Sequence, residues 1–435
     1  MNSYPTTSIW DLFRLIGSML GALLRGPRRF DAAAVLTGWM RSIIQRHESP
    51  NVILNFLFAR ILLVSGRDLS DHVLQAPPDN QHYVAGTLKS RVMTLLAPKA
   101  LTISHGRNWQ GLRTYNVDVL TIDENSGRRQ ALIDRVGRAF AAPVGDIDQI
   151  RLAMGHLMLS VVVGEKDASP ALLADFQILY DNMNMRNVFL GRDDAERRQR
   201  FYAELARLWR QSTEESDGSA PLLSCGRAAQ RLVSDYDFDE EIFLNQIPHW
   251  MFTFIGSGTD LLARTLALIT SRPAIHARAL SEVEAAGPLD RPTSVDSLAF
   301  VEACLREAGR LFPPVMQTLH SAPEGDTFDG VSIAPESELL QFFPLTNRDV
   351  TSDPGANNFV PERWLDDDQS AAAAYPNLLL SGARACPGED IIVLVCKSAI
   401  AILLAKHNLK PVGPPALGAD PLPFSFPASE FGLKY

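Results

Sequence analysis

A cysteine in a glycine-rich loop is the residue of this chain best suited to binding a metal. Cys386 lies between Gly382 and Gly388, and the mostly apolar residues 391–406 that follow predict a buried helix. The cysteine therefore precedes a helix N-terminus, where free backbone N–H groups and the helix dipole favour an anion. We expect the thiol to have a lowered pKa and to act as a thiolate ligand. Arg384, close before the sulfur, can pair with a carboxylate on a bound group.

The two glycines allow the backbone to approach a large flat group. Haem fits this description, because its iron can take the thiolate and its propionates need cations. The loop resembles the haem-binding loop of the cytochrome P450 family: Gly382, Arg384, Cys386 and Gly388 match it, and Leu379 stands at a position where the family has phenylalanine. The resemblance implies haem b with Cys386 as the axial iron ligand. The alternative is a buried core cysteine in a short motif that recurs by accident.

A tryptophan and a nearby arginine predict a second contact with such a cofactor. Trp109 and Arg113 share one face of a predicted helix, and an indole N–H together with a guanidinium can bind a carboxylate. The pair resembles the family's Trp-x-x-x-Arg helix, which implies binding to a haem propionate; a core tryptophan beside a surface arginine is the alternative. His320 stands where the family often has an arginine for the second propionate, and an ordinary surface role is its alternative.

A glutamate and two arginines predict a structural cluster rather than a catalytic one. Glu307 and Arg310 are spaced to pair on one helical face. They resemble the family's Glu-x-x-Arg, and Arg363 in a Pro-Glu-Arg-Trp segment resembles the second arginine of the family's buried cluster. The resemblance implies that the three residues lock the segment that leads to the cysteine.

A long helical stretch over residues 239–272 resembles the family's central helix, which crosses the haem face opposite the sulfur. Pro248 should kink it, and Gly256 and Gly258 should weaken it. In the family this helix carries an acid followed by threonine, and both groups help to deliver protons during oxygen activation.

Two registers place this motif differently in the chain. Thr259 and Asp260 resemble it by eye, but an apolar residue then falls at the threonine position. The downstream spacing to Pro273 and Glu282 instead places Ser257 at the hydroxyl position, and we predict this register. The alternative is that Ser257 only bonds a carbonyl one turn back. In either register the acid–threonine pair is incomplete, which puts ordinary oxygen activation in doubt.

Composition limits the partners and the compartment. The chain has 435 residues and a net charge of −9 spread along its length, which argues against nucleic acid as a partner. Its 4 cysteines form no C-x-x-C pair, so we expect a reducing, cytoplasmic location and no structural zinc. We expect a monomer. The chain shows no flavin or iron–sulfur motif, so electrons should come from a separate ferredoxin with its reductase or from a flavoprotein reductase.

The resemblance extends from about residue 50 to the end and implies a mostly α fold, the family's helical prism with a small β part. We expect one catalytic domain over residues 48–435 after an N-terminal helical extension over 1–47, and an irregular connection over 77–104. The expected β-rich parts are 50–65, 315–343 and 409–435, and the expected helical parts are 66–312 and 387–407.

The N-terminal extension offers two interpretations. Its apolar run over residues 12–24 is shorter than the roughly 18 residues of a membrane span. It predicts either an amphipathic surface helix or a peripheral membrane contact through residues 8–30, with arginines at the headgroups.

These motifs together predict a haem-thiolate monooxygenase that acts on an apolar or amphipathic small molecule. The predicted pocket residues are Val315, Met316, Thr318, Leu319 and Phe254. One alternative is an atypical enzyme that uses peroxide, or that rearranges or dehydrates an oxygenated substrate without external electrons. A further alternative is a haem-binding protein without enzymatic activity.

Overall fold

The computed structural model describes residues 3–24, 32–56, 59–78, 82–122, 127–167, 169–214, 220–351, 353–365, 375 and 382–435. Within these residues the fold is mostly α with a small β part, as the sequence predicts. The helices are α1 (Ile9–Leu24), α2 (Ala32–His47), α3 (Arg67–Gln75), α4 (Thr87–Thr94), α5 (Gly106–Leu120), α6 (Gly127–Ala139), α7 (Ile147–Val162), α8 (Pro170–Asn182), α9 (Met185–Phe189), α10 (Ala195–Gln211), α11 (Leu222–Ala229), α12 (Glu240–Leu244), α13 (Ile247–Phe252), α14 (Thr259–Thr270), α15 (Pro273–Ala286), α16 (Pro292–Asp296), α17 (Ala299–Leu311), α18 (Phe343–Thr346) and α19 (Glu389–Ala401).

The strands form a five-stranded sheet in the order β1-β2-β7-β4-β3 and a small β5-β6 hairpin. They are β1 (Asn51–Phe56), β2 (Ala59–Val64), β3 (Val84–Ala85), β4 (Gln317–Ala322), β5 (Asp326–Phe328), β6 (Val331–Ile333) and β7 (Ser337–Phe342). β2 runs parallel to β7, and the other neighbouring strands are antiparallel. The β5-β6 turn has positive φ at Asp329 and Gly330, as a tight hairpin requires.

Apolar side chains cover both faces of the larger sheet. One cluster joins Trp39 and Ile43 of α2 to Val52, Leu63 and Leu340 of the sheet. The other joins residues of α3 to the alternate side chains of β2 and β7. Because successive side chains of a strand point to opposite faces, the N-terminal helices and α3 lie on opposite sides of the sheet.

The long helical run α12–α14 is interrupted twice, at the places where the sequence predicts weakness. A turn at Asn245 and Gln246 precedes Pro248, whose ring cannot continue the hydrogen-bond ladder. A π-helical segment, Thr253–Gly258, then contains both glycines before α14 begins. Such π segments often mark functional sites. Among the described residues, this run (240–270) is the one helix long and apolar enough to cross a membrane, and 67% of its apolar stretch is buried inside the protein.

The structure corrects two expectations about secondary structure. The connection over 77–104 is not irregular throughout, because it contains β3 and the eight-residue helix α4. Residues 409–435 contain no strand, although a β-rich part was expected there. Prolines recur through this segment, including Pro411, Pro414, Pro421 and Pro423, and each lacks the N–H that a ladder needs.

Candidate haem-thiolate site

The cysteine loop is held against α3 by a glycine. Gly382 has a φ of +57°, and a Cβ there would lie 2.9 Å from the Gln75 Cα, so only glycine fits. Around Gly388 a Cβ would meet nothing closer than the Leu120 Cδ1 at 3.9 Å. Gly382 therefore allows a close approach of the loop to α3, and its approach to a flat ligand stays a prediction. Leu379 lies outside the described residues.

Cys386 lies just before α19 and is half-buried. Burial raises the pKa of the thiol, although the Gly388 N–H and the Arg113 charge act in the opposite direction. The helix N-terminus was expected to lower the thiol pKa, but burial has the larger effect. Removing a thiolate from water is more unfavourable than the interactions with one N–H and one guanidinium are favourable. A metal cation at this sulfur would reverse the balance, since a coordinating thiol is deprotonated.

Trp109 and Arg113 both lie on α5, beside the cysteine loop. The Arg113 Nη1 donates to the Ala385 carbonyl, which links α5 to the residue before the cysteine. Burial lowers the pKa of Arg113, and the nearby Cys386 raises it. Trp109 is partly exposed, and its indole N–H has no hydrogen-bond partner among the described residues. The helix therefore offers a free N–H donor and a cation close to the sulfur.

Arg384 and His320 lie at the junction of the cysteine loop and the sheet. Two nitrogens of Arg384 donate to the carbonyls of Ala76 and Tyr83, so the guanidinium also fixes the loop. His320 on β4 is 2% exposed, so it has no surface role. Neither ring nitrogen forms a well-aligned hydrogen bond, although the Gln341 side chain and the Val84 backbone lie near the ring. Burial, followed by the charges of Arg384 and Lys89, lowers the His320 pKa. An orphaned buried imidazole beside cations is what an absent anionic group would leave, so these residues fit a haem propionate.

The predicted structural cluster is assembled in full. The Glu307 carboxylate is completely buried and pairs with Arg310 at 2.8 Å and with Arg363 at 3.0 Å. It also accepts hydrogen bonds from the Val360 N–H at 3.0 Å and the Trp364 Nε1 at 2.8 Å. The cluster thus joins α17 to the Pro361–Trp364 turn.

Two ion pairs also connect α17 to α19, the helix that follows Cys386. Arg306 on α17 donates to Glu389, the first residue of α19, at 3.1 Å. Lys397 of α19 donates to Glu302 of α17 at 2.8 Å. α17 therefore positions both the turn after the cluster and the helix that follows Cys386.

The central helix presents a stripe of partly accessible residues at helical spacing. His249, Thr253, Ser257 and Asp260 belong to it, and the Ser257 hydroxyl has no hydrogen-bond partner among the described residues. Thr259, in contrast, is fully buried and donates to the Phe254 carbonyl at 3.2 Å. Ser257 as the distal hydroxyl stays a prediction, and the two neighbouring hydroxyls clearly have different surroundings.

Neither position expected to carry an acid offers a free carboxylate. Asp260 pairs with Arg264 at 2.7 Å, and Arg264 also donates to the carbonyls of Phe312 and Pro313. At Gly256, a Cβ would overlap the hydroxyl of Tyr180 from α8 and lie 3.0 Å from its Cζ. A phenol from another helix therefore fills the place of the missing side chain.

The predicted pocket residues do not lie together. Phe254 is 2% exposed and packs in the main core, away from the accessible stripe. On β4, Leu319 packs with Met316 against the cluster that contains α2, whereas Thr318 shares the opposite face with His320. The placement of these residues in a substrate pocket stays a prediction. Val315, just before β4, is 44% exposed.

Sequence reasoning missed Lys89, His249 and Tyr180. Lys89 lies on α4, in the segment taken for an irregular connection, and His249 precedes the glycines of the central helix. Burial lowers the pKa of Lys89 to about 8 and that of His249 to about 4, yet both keep accessible surface. This combination is typical of side chains that line an internal cavity. In the sequence, only the helical spacing of His249 to Thr253 and Ser257 could have indicated that His249 lies on the same face as Ser257.

Comparisons with known proteins match a large part of the chain to one family. A family model for cytochrome P450 matches residues 154–432, more than half of the chain. A cytochrome P450 monooxygenase of Gibberella zeae is 27% identical over 176 residues, which are 38% of this chain and 41% of that protein. Cytochrome P450 monooxygenase pkfB of Emericella nidulans is 28% identical over 188 residues, 39% of this chain and 37% of that protein. Cytochrome P450 monooxygenase mpaDE of Penicillium roqueforti is 29% identical over 182 residues, 38% of this chain and 21% of that protein.

These matches span about two fifths or less of the length of the curated relatives. The family model, in contrast, covers the central helix, the Glu307 cluster and the cysteine loop in one continuous match. Proteins of this family use haem. The order of these features along the chain, together with that match, shows that the chain belongs to the cytochrome P450 family.

Proposed function

We propose that the chain is a haem-thiolate monooxygenase that inserts one oxygen atom from O2 into an apolar or amphipathic small molecule. The observation that carries the proposal is Cys386 directly before the N-terminus of α19, with Arg113 bound to the adjacent Ala385 carbonyl. Haem b, when bound, supplies oxygen activation, and a thiolate ligand favours O–O cleavage. Trp109, Arg113, Arg384 and His320 would hold the propionates.

The chain's own residues would orient the reactants and handle protons. The Ser257 Oγ, on the accessible stripe and without an internal partner, can hold a proton or pass it to a substrate-side group. The Tyr180 hydroxyl beside Gly256 adds a second O–H at the same level of the central helix. Electrons would come from a separate ferredoxin system or flavoprotein reductase.

The ferrous–CO spectrum of the purified haem-loaded protein tests this proposal. We expect the red-shifted Soret band of a thiolate-ligated haem, together with NADPH-dependent product formation when a surrogate reductase and O2 are supplied. A haem-loaded protein without that band would overturn the thiolate assignment.

One observation favours a second candidate, a peroxide-using or substrate-rearranging enzyme. Asp260 is held by Arg264, and the Thr259 hydroxyl is held by a carbonyl, so the usual acid–threonine pair is not available for proton delivery. Turnover with hydrogen peroxide and without reductase, combined with none under reductase and O2, would establish this candidate in place of the first.

We also propose a peripheral membrane contact through α1. The helix leaves an apolar stripe exposed at helical spacing, and a soluble surface rarely presents so many large apolar groups together. The stripe consists of Ile9, Trp10, Phe13, Ile16 and Leu20. Flotation with phosphatidylcholine–phosphatidylserine vesicles tests it: Trp10→Ser with Phe13→Ser should release the protein, and Leu152→Ser, at an exposed leucine of α7, should not. Equal flotation of all variants would refute the contact.

A further inference from the structure

Lys89 is fixed at the edge of the sheet by the anchoring of its helix. The Thr87 N–H and hydroxyl donate to the Glu338 Oε1 at 3.0 and 2.7 Å, and the Gly86 N–H donates to the Leu319 carbonyl at 3.0 Å. Lys89 follows within the first turn of α4. It forms no hydrogen bond and no ion pair with the described residues, although burial lowers its pKa to about 8. At neutral pH the ammonium is therefore mostly charged, and it has no counter-charge among the residues that the structure describes.

The described groups that share an electrostatic effect with Lys89 are basic, and the acidic Glu338 is bound to Thr87 of the same helix. The charge of Lys89 lowers the pKa of His249 on α13 and the pKa of His320 on β4. The charge of Arg384 in turn lowers the pKa of Lys89. Four separate segments thus bring basic side chains close enough to affect one another's charge. No acidic side chain among the described residues affects the pKa of Lys89 or of His249. An uncompensated buried cation is strongly unfavourable, so this arrangement suits an anion from outside the chain.

The propionates of a haem do not account for the whole set. Trp109 and Arg113 lie beside the cysteine loop, and Arg384 with His320 lies at the junction of that loop and the sheet. Two propionates can be met by these two pairs. Lys89 and His249 are then left over, and His249 belongs to the accessible stripe that continues to Ser257.

Aromatic side chains adjoin His249. The Phe252 ring lies 4.8 Å from the His249 ring, and the Tyr180 ring stacks on Phe252 at 6.4 Å. All three residues keep accessible surface. A ligand here meets a charged end and an apolar wall, which together select an amphipathic molecule.

We propose that Lys89, with His249 as a hydrogen-bond donor, binds the carboxylate of an amphipathic carboxylic acid whose apolar part lies along Phe252 and Tyr180 towards Ser257. This inference rests on the proposed function and narrows its substrate class. A single ammonium matches a single carboxylate, and the apolar wall disfavours a fully polar anion.

Binding of acids and their methyl esters to the haem-loaded protein tests the inference. The probes are dodecanoate and 4-phenylbutyrate, each compared with its methyl ester. Binding is followed by the shift of the Soret band and, independently of the haem, by calorimetry. Because a charge-assisted hydrogen bond is lost in the ester, at least one acid should bind about tenfold or more tightly than its ester.

Variants separate this role from the alternatives. Lys89→Met should abolish the preference for acid over ester, and Lys89→Arg should retain most of it. Lys99→Met should leave it unchanged, because Lys99 already pairs with Glu241 at 2.7 Å. Equal affinity of acids and esters for the unmodified protein would overturn the inference, and so would a loss of haem content in Lys89→Met, which would make Lys89 a propionate partner. A missing ferrous–CO thiolate band would instead refute the proposed function, whatever the calorimetry shows.

Discussion

Replacing Glu307 by alanine should be among the most damaging single substitutions in the chain. The carboxylate accepts five hydrogen bonds, from the Arg310 Nε and Nη2, the Arg363 Nε, the Val360 N–H and the Trp364 Nε1, at 2.8 to 3.0 Å. Arg310 is also fully buried. Without Glu307, its charge would stay inside the protein with only the carbonyls of Asn347, Ala356 and Asn358 as partners.

The expected cost follows from leaving one buried charge without its partner, about 3–5 kcal/mol. Since the whole free energy of unfolding of a domain is only about 5–15 kcal/mol, Glu307→Ala should yield aggregate or a poorly haem-loaded protein. Glu307→Gln keeps the shape of the side chain and one carbonyl acceptor, so we expect a smaller loss. Urea unfolding and the ratio of Soret to protein absorbance measure the two effects.

Glu362→Ala is the matched control, because Glu362 lies in the same turn, next to Arg363. Its ion pair with Arg278 is exposed, at 52% and 48%. Such pairs contribute about 0–1 kcal/mol, so stability and haem content should hardly change. If Glu307→Ala were as mild as Glu362→Ala, the buried cluster would not be the structural element described above.

Further substitutions probe the metal ligand and the central helix. Cys386→Ser should abolish the red-shifted ferrous–CO band because a hydroxyl is a poor neutral donor, and survival of the band would assign the ligand to another cysteine. Under O2 and a surrogate reductase, Ser257→Ala should lower product formed per electron and raise peroxide release, whereas Thr259→Val should change this ratio little; the reverse result would move the register. Gly256→Ala should cost about 1–3 kcal/mol by overpacking against Tyr180, and less in a Tyr180→Phe background, where the nearest ring atom is the Cζ at 3.0 Å. An equal cost in both backgrounds would contradict that contact.

The features that could be predicted from the sequence are those fixed by spacing within one element. In a helix, residues three or four apart share a face whatever the rest of the protein does. Glu307 with Arg310 and Trp109 with Arg113 are therefore visible in the printed sequence. Proline and glycine act locally too, so the interruptions of the central helix near Pro248 and between residues 253 and 258 were predictable.

The tertiary structure alone decided the features that join distant segments. The Tyr180 hydroxyl meets Gly256 because α8 packs across the central helix, and Lys89 comes near His249 because Glu338 anchors α4 to the sheet. The pKa of a buried thiol or ammonium likewise depends on every atom that replaces water around it, which no local motif encodes. Hence the sequence predicted the candidate ligand cysteine and the family of the chain. The group of basic residues around Lys89, the phenol beside Gly256 and the strandless C-terminal segment could be seen only in the tertiary structure.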